Sequence, residues 1–438
     1  MTATAVLTPP DAPPLHVERA GGAPRLLDGP RLDSGAETLV EHRRRLGRRP
    51  IGGDWLLDVI ERSGLRGHGG AWFPTHRKWR GVSRLALERG DPSVVVVNAS
   101  EGEPLSAKDK LLAEKRPHLL IDGALIAAEA VGADDVVIYV SRPARRATRA
   151  LRQALGERRR DGVKEPHIRI VHTQHRYVAG ESSAVVRRVN GGQAKPSFSP
   201  PHPSEHGVLG RPTLVQNAET IAHVALIARY GDAWFRERGT VAAPGTGLVT
   251  LAGNIARPGV YEVDLGSSLL SVVAAAGGVL SPPAGLLIGG YFGTWLGSER
   301  GAAATLCPEH VSLGCGIIGM LGNDGCGVGE SARIVSYLAR ESAGQCGPCV
   351  FGLRAVAEGM SRLAAGDADR GDLTRIHRWS DQIVGRGACN HPDGAVNNLR
   401  TALDTFAADV ERHVSGHACA GLGATPLPAP PRSPFGWR

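Results

Sequence analysis

The chain has 438 residues, 42 % hydrophobic and 21 % charged, which suits a soluble globular protein of roughly two to four domains and excludes a disordered, collagen-like or disulfide-scaffold chain. Glycine is in excess at 58 residues against 5 % aromatics, so close backbone packing and tight turns are expected rather than a large aromatic core. The net charge of +8 gathers in arginine runs (Arg43–Arg45, Arg48–Arg49, Arg158–Arg160) that lack interleaved aromatics or a nucleic-acid motif, leaving a solvated surface or an acidic partner protein as the readings.

Residues 1–50 are rich in Pro, Gly and Arg and read as a variable N-terminal extension without signal-peptide features. Over 51–240, β-branched runs alternate with helical stretches. Ser93–Asn98 and Asp135–Val140 read as buried parallel strands and His118–Ala130 as the amphipathic helix between them, a βαβ unit in an α/β domain. Gly239–Gly247 reads as a linker. Over 247–305, the runs Val249–Ala252, Gly259–Val263 and Leu286–Trp295 with a helix at Leu269–Ala276 outline a small module of strands and one helix. Residues 327–415 lack strand patterns. Val328–Arg340, Val350–Ala364, Asp372–Val384 and Ala395–Val414 repeat apolar residues at helical spacing, predicting a four-helix bundle. A Pro-rich tail covers 421–438. No apolar run reaches the ~20 residues of a membrane span. The seven cysteines are odd in number and lie after residue 300, which favours reduced thiols and a metal or redox role in a cytoplasmic protein.

Five motifs carry chemistry. Arg66–Thr75, with glycine at 67, 69 and 70 and Lys78 beyond, offers close backbone approach, an amide nest and a cation for an anionic ligand. Asn98–Pro104 follows a predicted central strand, where open α/β sheets bind ligands. Tyr177–Ser182 and Gly210–Thr220 read singly as loops. Glu341–Cys349 holds Cys346-Gly-Pro-Cys349, with Cys389 inside the bundle, a spacing that fits a metal or cluster, with structural zinc as the rival.

In this order the motifs resemble the flavin-bearing, NADH-oxidising subunit of respiratory complex I, a type shared with NAD-reducing hydrogenases and formate dehydrogenases. The resemblance spans 51–415. It implies an α/β flavin-binding domain, a ubiquitin-like β-grasp module of the soluble-ligand-binding (SLBB) type, and a C-terminal four-helix bundle with an iron–sulfur site. FMN contacts would come from Gly67, Gly69, Lys78, Asn98, Glu101, Tyr177, Gly180, Glu181, Val215, Asn217 and Thr220. The nicotinamide pocket would use Gly70, Ala71, Phe73, Lys78 and Glu103, with Phe73 as a stacking surface. Electrons would pass from NADH or NADPH through FMN and a 4Fe–4S or 3Fe–4S cluster to a ferredoxin or a thioredoxin-fold 2Fe–2S subunit, within a system that includes a larger membrane-associated redox complex among its options. Direct hydride transfer needs no general base.

The chain departs from the family pattern at several positions. His68 replaces an arginine, and Trp72 replaces a glycine and is expected to add bulk on the dinucleotide side. Ser100 stands for an aspartate, Leu209 for a stacking phenylalanine, and Ser182 for a glutamate, which relaxes discrimination against a phosphorylated ribose. Ala343 takes the place of the first cluster cysteine, leaving Cys346, Cys349 and Cys389; Cys326 lies beyond an intervening helix, and Cys307 and Cys419 read as ordinary thiols. These departures keep an alternative open: an electron-transfer or assembly module that retains the fold without oxidising NADH.

Overall fold

A computed structural model describes residues 25–162, 165–307, 311–419 and 427–428. Four parallel strands, β1 (Ser93–Ala99), β2 (Ala133–Ser141), β3 (Ile168–Thr173) and β4 (Thr213–Asn217), form a sheet in the order β3-β2-β1-β4. Both faces of β1 are buried, and its side chains alternate between two cores, as a strand's two-residue period requires. Val95 and Val97 face a large core, while Val94 and Val96 face a smaller one. The large core is built by α2 (Trp55–Ser63), α3 (Thr75–Arg89), α5 (Pro117–Val131), α6 (Arg145–Arg160) and α8 (Ala218–Arg236). On the other face lies α7 (Ser182–Val189). In the large core α5 and α8 approach so closely that a Cβ at Gly123 would stand 2.1 Å from the Ile221 carbonyl.

The strand order sets the site. From β1 the chain winds outward through β2 to β3, then returns to place β4 on the other side of β1, with Asn98 beside Asn217 in register. The carboxyl ends of β1 and β4 therefore flank a topological switch point, where open α/β sheets bind ligands.

Residues 25–50 are not the free extension their composition suggests; 1–24 lie outside the described residues. The Leu26 and Leu27 amides donate to the buried Glu262 carboxylate at 2.8 and 3.0 Å. Arg116, buried, donates to the carbonyls of Leu27 (2.7 Å), Asp28 (2.8 Å) and Pro30 (2.7 Å). Helix α1 (Leu39–Leu46) starts at a Thr38–Glu41 capping box. Its His42 Nε2 lies 2.9 Å from Asp122. These partners are distant in sequence, so local composition carried no sign of them.

The second sheet holds β5 (Thr246–Gly253), β6 (Gly259–Asp264), β7 (Pro283–Ile288), β8 (Thr294–Leu296) and β9 (Ile317–Gly322), in the order β6-β5-β9-β7-β8, with α9 (Leu269–Ala275) packed on it and α10 (Ser298–Ala303) following β8. Leu286–Trp295 is thus a hairpin rather than one strand. The central strand β9 lies past residue 305, so this sheet runs on to Gly322. One of its hairpin turns returns to the first sheet, as shown below.

The C-terminal part is helical: α11 (Gly327–Arg340), α12 (Arg354–Ala365), α13 (Arg370–Ile383), α14 (His391–Thr405) and α15 (Ala407–Val414), with a π-helical turn at Pro348–Leu353 before α12. The predicted helix Ala395–Val414 breaks at Phe406, whose ring packs against Trp295 at 5.1 Å and fills the space over Gly285 and Gly327. Of the tail, Leu427 is buried in the helical core, against β9. Among the described residues no helix is long and apolar enough to cross a membrane.

Candidate functional site

The glycine loop leads from α2 into α3 and closes on itself through Gly67 N–H to the Phe73 carbonyl, 2.9 Å. It lies against the junction of β4 and α8: the His68 amide donates to Thr220 Oγ1 at 2.9 Å, and a Cβ at Gly69 would come 3.2 Å from Asn217 Cβ. Asn217 caps α8 by accepting from the amides of Glu219 (3.0 Å) and Thr220 (3.4 Å), the standard use of an asparagine at that position. Lys78, in the first turn of α3, donates its ammonium to the Val215 carbonyl on β4. Burial of that ammonium pulls its pKa down to about 8, with Glu181 as the opposing charge. No carboxylate among the described residues pairs with it. The desolvated cation beside a glycine loop is the chemistry of an anion site.

From the end of β1, Asn98 Nδ2 donates to the Gly180 carbonyl at 2.8 Å, and its Oδ1 accepts from the Ser100 hydroxyl at 2.8 Å. Glycine suits position 180, since a Cβ would stand 2.9 Å from Ser100 Oγ. The structure thus brings Gly67, Gly69, Lys78, Asn98, Gly180, Val215, Asn217 and Thr220 together at the β1–β4 switch point. Ala71 and Phe73 of the same loop are exposed, Phe73 at 51 % exposure. Gly70 turns (φ +110°) toward Cys315 of the second sheet's loop.

The three carboxylates of the expected contacts are engaged within the chain. Glu101 accepts from the amides of Asp109 (3.1 Å) and Lys110 (3.0 Å), at the start of α4 (Lys108–Lys115). Glu181 caps α7 through Ser183 (2.9 Å) and Ala184 (3.1 Å). Glu103 accepts from the Tyr177 hydroxyl and the Tyr291 amide, both at 2.9 Å, which ties the β7–β8 turn to the end of β1. Burial pushes Glu103 up to about 7 against those hydrogen bonds. A raised carboxyl stabilises the fold while protonated, so its contribution is full below about pH 4.5 and is lost as pH rises through 7. Relative to a Glu103→Gln chain, the parent is expected to lose up to about 3 kcal/mol between pH 5 and 8. Urea midpoints of the two chains across that range check it, and parallel curves would refute it.

The Trp72 indole is directed onto the second sheet and its Gly314–Cys315 loop. Trp72 has a positive φ of 51°; its Nε1–H donates to the Gly314 carbonyl at 3.0 Å, and the ring joins the hydrophobic core of the second sheet. The His68 ring packs against it at a tilt of 51°, centroids 4.7 Å apart, and places Nδ1 2.9 Å from Glu219. The two departures in the glycine loop are therefore one packed pair that clamps the loop from behind. Behind it lies a cluster that sequence reading missed: Glu219, fully buried, also takes Lys108 Nζ at 2.7 Å and the Leu248 amide at 2.7 Å. The signal available was Glu219 and His223, one helical turn apart in the largely apolar run Ala218–Ile227.

At the cysteine motif, Cys349 sits in the π-helical turn, and burial together with the neighbouring Cys346 and Cys389 sulfurs pushes its thiol up to about 12. Cys389 accepts from the His391 amide. The Cys346 and Cys389 sulfurs both act on Cys349, so the three thiols form one group. His391 is turned into the core, Nε2 on the Leu338 carbonyl at 2.8 Å and its ring edge-on to Tyr177 and Phe292. Gln345 is held by Arg187 and the Pro196 carbonyl. Ser342 Oγ accepts from the Gly344 amide at 3.1 Å. Cys326 stands at the opposite end of α11.

Comparison with known proteins agrees with this architecture. The model of the Nuo51 FMN-binding domain matches residues 60–226, that of the SLBB domain 248–288, and that of the NADH-ubiquinone oxidoreductase-F iron-sulfur binding region 330–413. The F 2 subunit of the NADH-quinone oxidoreductase of Rhizobium meliloti is 33 % identical over 391 residues, 84 % of this chain and 90 % of that protein. The HndC subunit of the NADP-reducing hydrogenase of Solidesulfovibrio fructosivorans is 30 % identical over 85 % of this chain and 78 % of its own length. The crystal structure of an NAD+-reducing [NiFe]-hydrogenase in the H2-reduced state superposes with a TM-score of 0.76 at 31 % identity over 87 % of this chain; the chain spans 65 % of that hydrogenase chain. Three matched regions in one order, each lying on its own structural unit, show that the chain belongs to the family of NADH-quinone oxidoreductase F subunits, with an FMN-binding domain, an SLBB domain and an iron–sulfur binding region.

Proposed function

We propose that the chain is the electron-entry subunit of a redox assembly in the cytoplasm, oxidising NADH or NADPH and passing electrons singly to a 2Fe–2S partner of ferredoxin or thioredoxin fold. The carrying observation is the glycine loop gathered at the β1–β4 switch point, with Phe73 exposed beside it and the Lys78 ammonium without a carboxylate partner among the described residues. FMN, when bound there, accepts an electron pair from a nicotinamide and releases single electrons. The chain's residues supply position and charge: backbone at Gly67 and Gly69 allows close approach, Lys78 neutralises an anionic group, and exposed Phe73 offers a stacking face at the entrance. Ser182 in place of an acid leaves the phosphorylated ribose of NADPH unrepelled. Cys346, Cys349 and Cys389 would hold the cluster through three protein thiolates. An arginine groove on α6 and the end of β2 (Arg142, Arg145, Arg149, Arg152) fits an acidic partner surface.

The test is the visible spectrum of anaerobically purified protein before and after NADH, then NADPH. Flavin bands that bleach with a nucleotide over an iron–sulfur shoulder are expected. Flavin and cluster that ignore both nucleotides would overturn the dehydrogenase reading and leave an electron-transfer module fed by another donor.

A further inference from the structure

We propose that the chain holds a second metal, a zinc ion bound by Cys326, His413 and Cys419, separate from the cluster cysteines. His413 Nε2 lies 3.4 Å from Cys326 Sγ and 3.1 Å from Cys419 Sγ, and all three ligand atoms are within 4.8 Å of one another. Zn–S bonds of about 2.3 Å and Zn–N bonds of about 2.0 Å place tetrahedral ligand atoms about 3.5–4 Å apart, so the trio needs only a small expansion to admit the ion.

The surroundings are those of a ligand set. His413 is fully buried, and its Nδ1 stands 3.0 Å from the Leu363 carbonyl. A proton on Nδ1 fixes the tautomer in which the Nε2 lone pair faces the sulfurs, the outer hydrogen bond that metal-bound histidines make. Each sulfur receives a donor that favours thiolate. Cys326 is the N-cap of α11 and accepts from the Gly329 amide at 3.3 Å, and Cys419 accepts from the Arg412 guanidinium at 3.3 Å. The Cys419 amide also points at Nε2, 3.2 Å away, a contact the ion would replace. Two soft sulfurs and an imidazole in tetrahedral reach select zinc over harder divalent ions.

The position gives such an ion a task. Cys326 opens α11, whereas His413 lies in α15 and Cys419 just beyond it, so one ion joins the first and last turns of the helical unit across 87 residues. The cluster cysteines lie past the far end of α11, whose 14 residues rise about 21 Å. The other compact group, His68, Glu219 and His223, already contains a cation, since Lys108 Nζ occupies Glu219 at 2.7 Å.

Elemental analysis of the full chain, purified anaerobically without metal-affinity resin, is expected to find about one zinc per chain beside the iron. Cys326→Ser and Cys419→Ser should lose the zinc and keep the iron. Cys349→Ala should do the reverse. Should the serine variants fail to fold, the parent chain suffices: stripped with chelator and titrated with Co2+, it should develop the intense sulfur-to-cobalt charge-transfer bands of a thiolate site, and zinc should displace them. Absence of zinc together with no cobalt bands would overturn the proposal. So would a Cys326–Cys419 disulfide found by peptide mass mapping of protein alkylated before digestion.

Discussion

A Glu219→Ala chain is expected to lose about 3–5 kcal/mol of stability, the cost of removing one partner of a buried ion pair, and most of its bound flavin with it. Glu219 is fully buried and accepts from His68, Lys108 and the Leu248 amide. These partners come from the glycine loop, from α4 and from β5, so one carboxylate joins the loop, the helix that Glu101 caps, and the second sheet. Its removal leaves Lys108, buried, with Asp109 at 3.1 Å as its remaining close partner. It also frees the His68 ring, against which Trp72 packs. Burial opposes ionisation of Glu219, yet His68 and Lys108 hold its pKa well below the usual carboxylate range. A depressed carboxylate contributes stability that is present above its unfolded pKa, about 4.3, and is lost as pH falls toward the folded value. The parent's advantage over the variant should therefore be full at pH 7 and shrink on acidification. Chemical denaturation at pH 7 and pH 4 measures both, with flavin content read from the spectrum. A variant within about 1 kcal/mol of the parent at pH 7 would show that the cluster contributes no net stability.

The parts of this fold that were legible in the sequence are those fixed by local pattern. Val94–Val97 and Val136–Val140 announce buried strands because a strand covered on both faces is apolar throughout. β3 (Ile168–Thr173) alternates polar and apolar residues at the edge of the sheet. β4 (Thr213–Asn217) ends in the polar Gln216 and Asn217, the latter capping α8, so a strand there looked like a loop. β9 has β-branched residues only at Ile317 and Ile318 and is then broken by two glycines, yet it is the centre of its sheet because β5 and β7 supply the packing around it.

The site shows the same division. Its residues were legible as motifs, because close backbone approach demands glycine and an anion demands a cation. What those residues do for the chain itself was not. Glu181 is the N-cap of α7 through the amides two and three residues on, Glu101 reaches forward to the start of α4, and Glu103 ties to the Tyr291 amide of the second sheet, a role that exists only once that distant turn arrives. Trp72 and His68 read singly as two losses, and only the turn that brings one ring onto the other makes them a compensating pair. Cys326 is separated from His413 and Cys419 by most of the helical unit, so no spacing rule joins the three.

Lys78→Met is expected to weaken FMN binding about a hundredfold or more, ~3 kcal/mol for removing one partner of a desolvated charge contact, while the fold persists. Methionine keeps the length of the stem and its packing, so the change isolates the charge. The side chain's own environment makes a second, sharper claim. Burial pulls Lys78 down to about 8, so above that pH the ammonium form of the empty site falls tenfold per unit. An anionic ligand that needs the ammonium should then bind up to tenfold more weakly for each pH unit above 8, and the methionine variant should show no such slope. Fold stability responds in the opposite sense. A lysine whose folded pKa lies below its unfolded value, about 10.4, binds fewer protons folded than unfolded between the two values, so the flavin-free chain gains stability over that range as pH rises. General alkaline unfolding would lower stability and affinity together; Lys78 lowers affinity while raising stability. Fluorescence titration of flavin-free protein with FMN, paired with denaturant midpoints at pH 7, 8 and 9, separates the two. A parent chain whose FMN affinity is flat from pH 7 to 9, or a methionine variant that binds within threefold of it, would remove Lys78 from the flavin site and leave it as a buried cation held by the Val215 carbonyl.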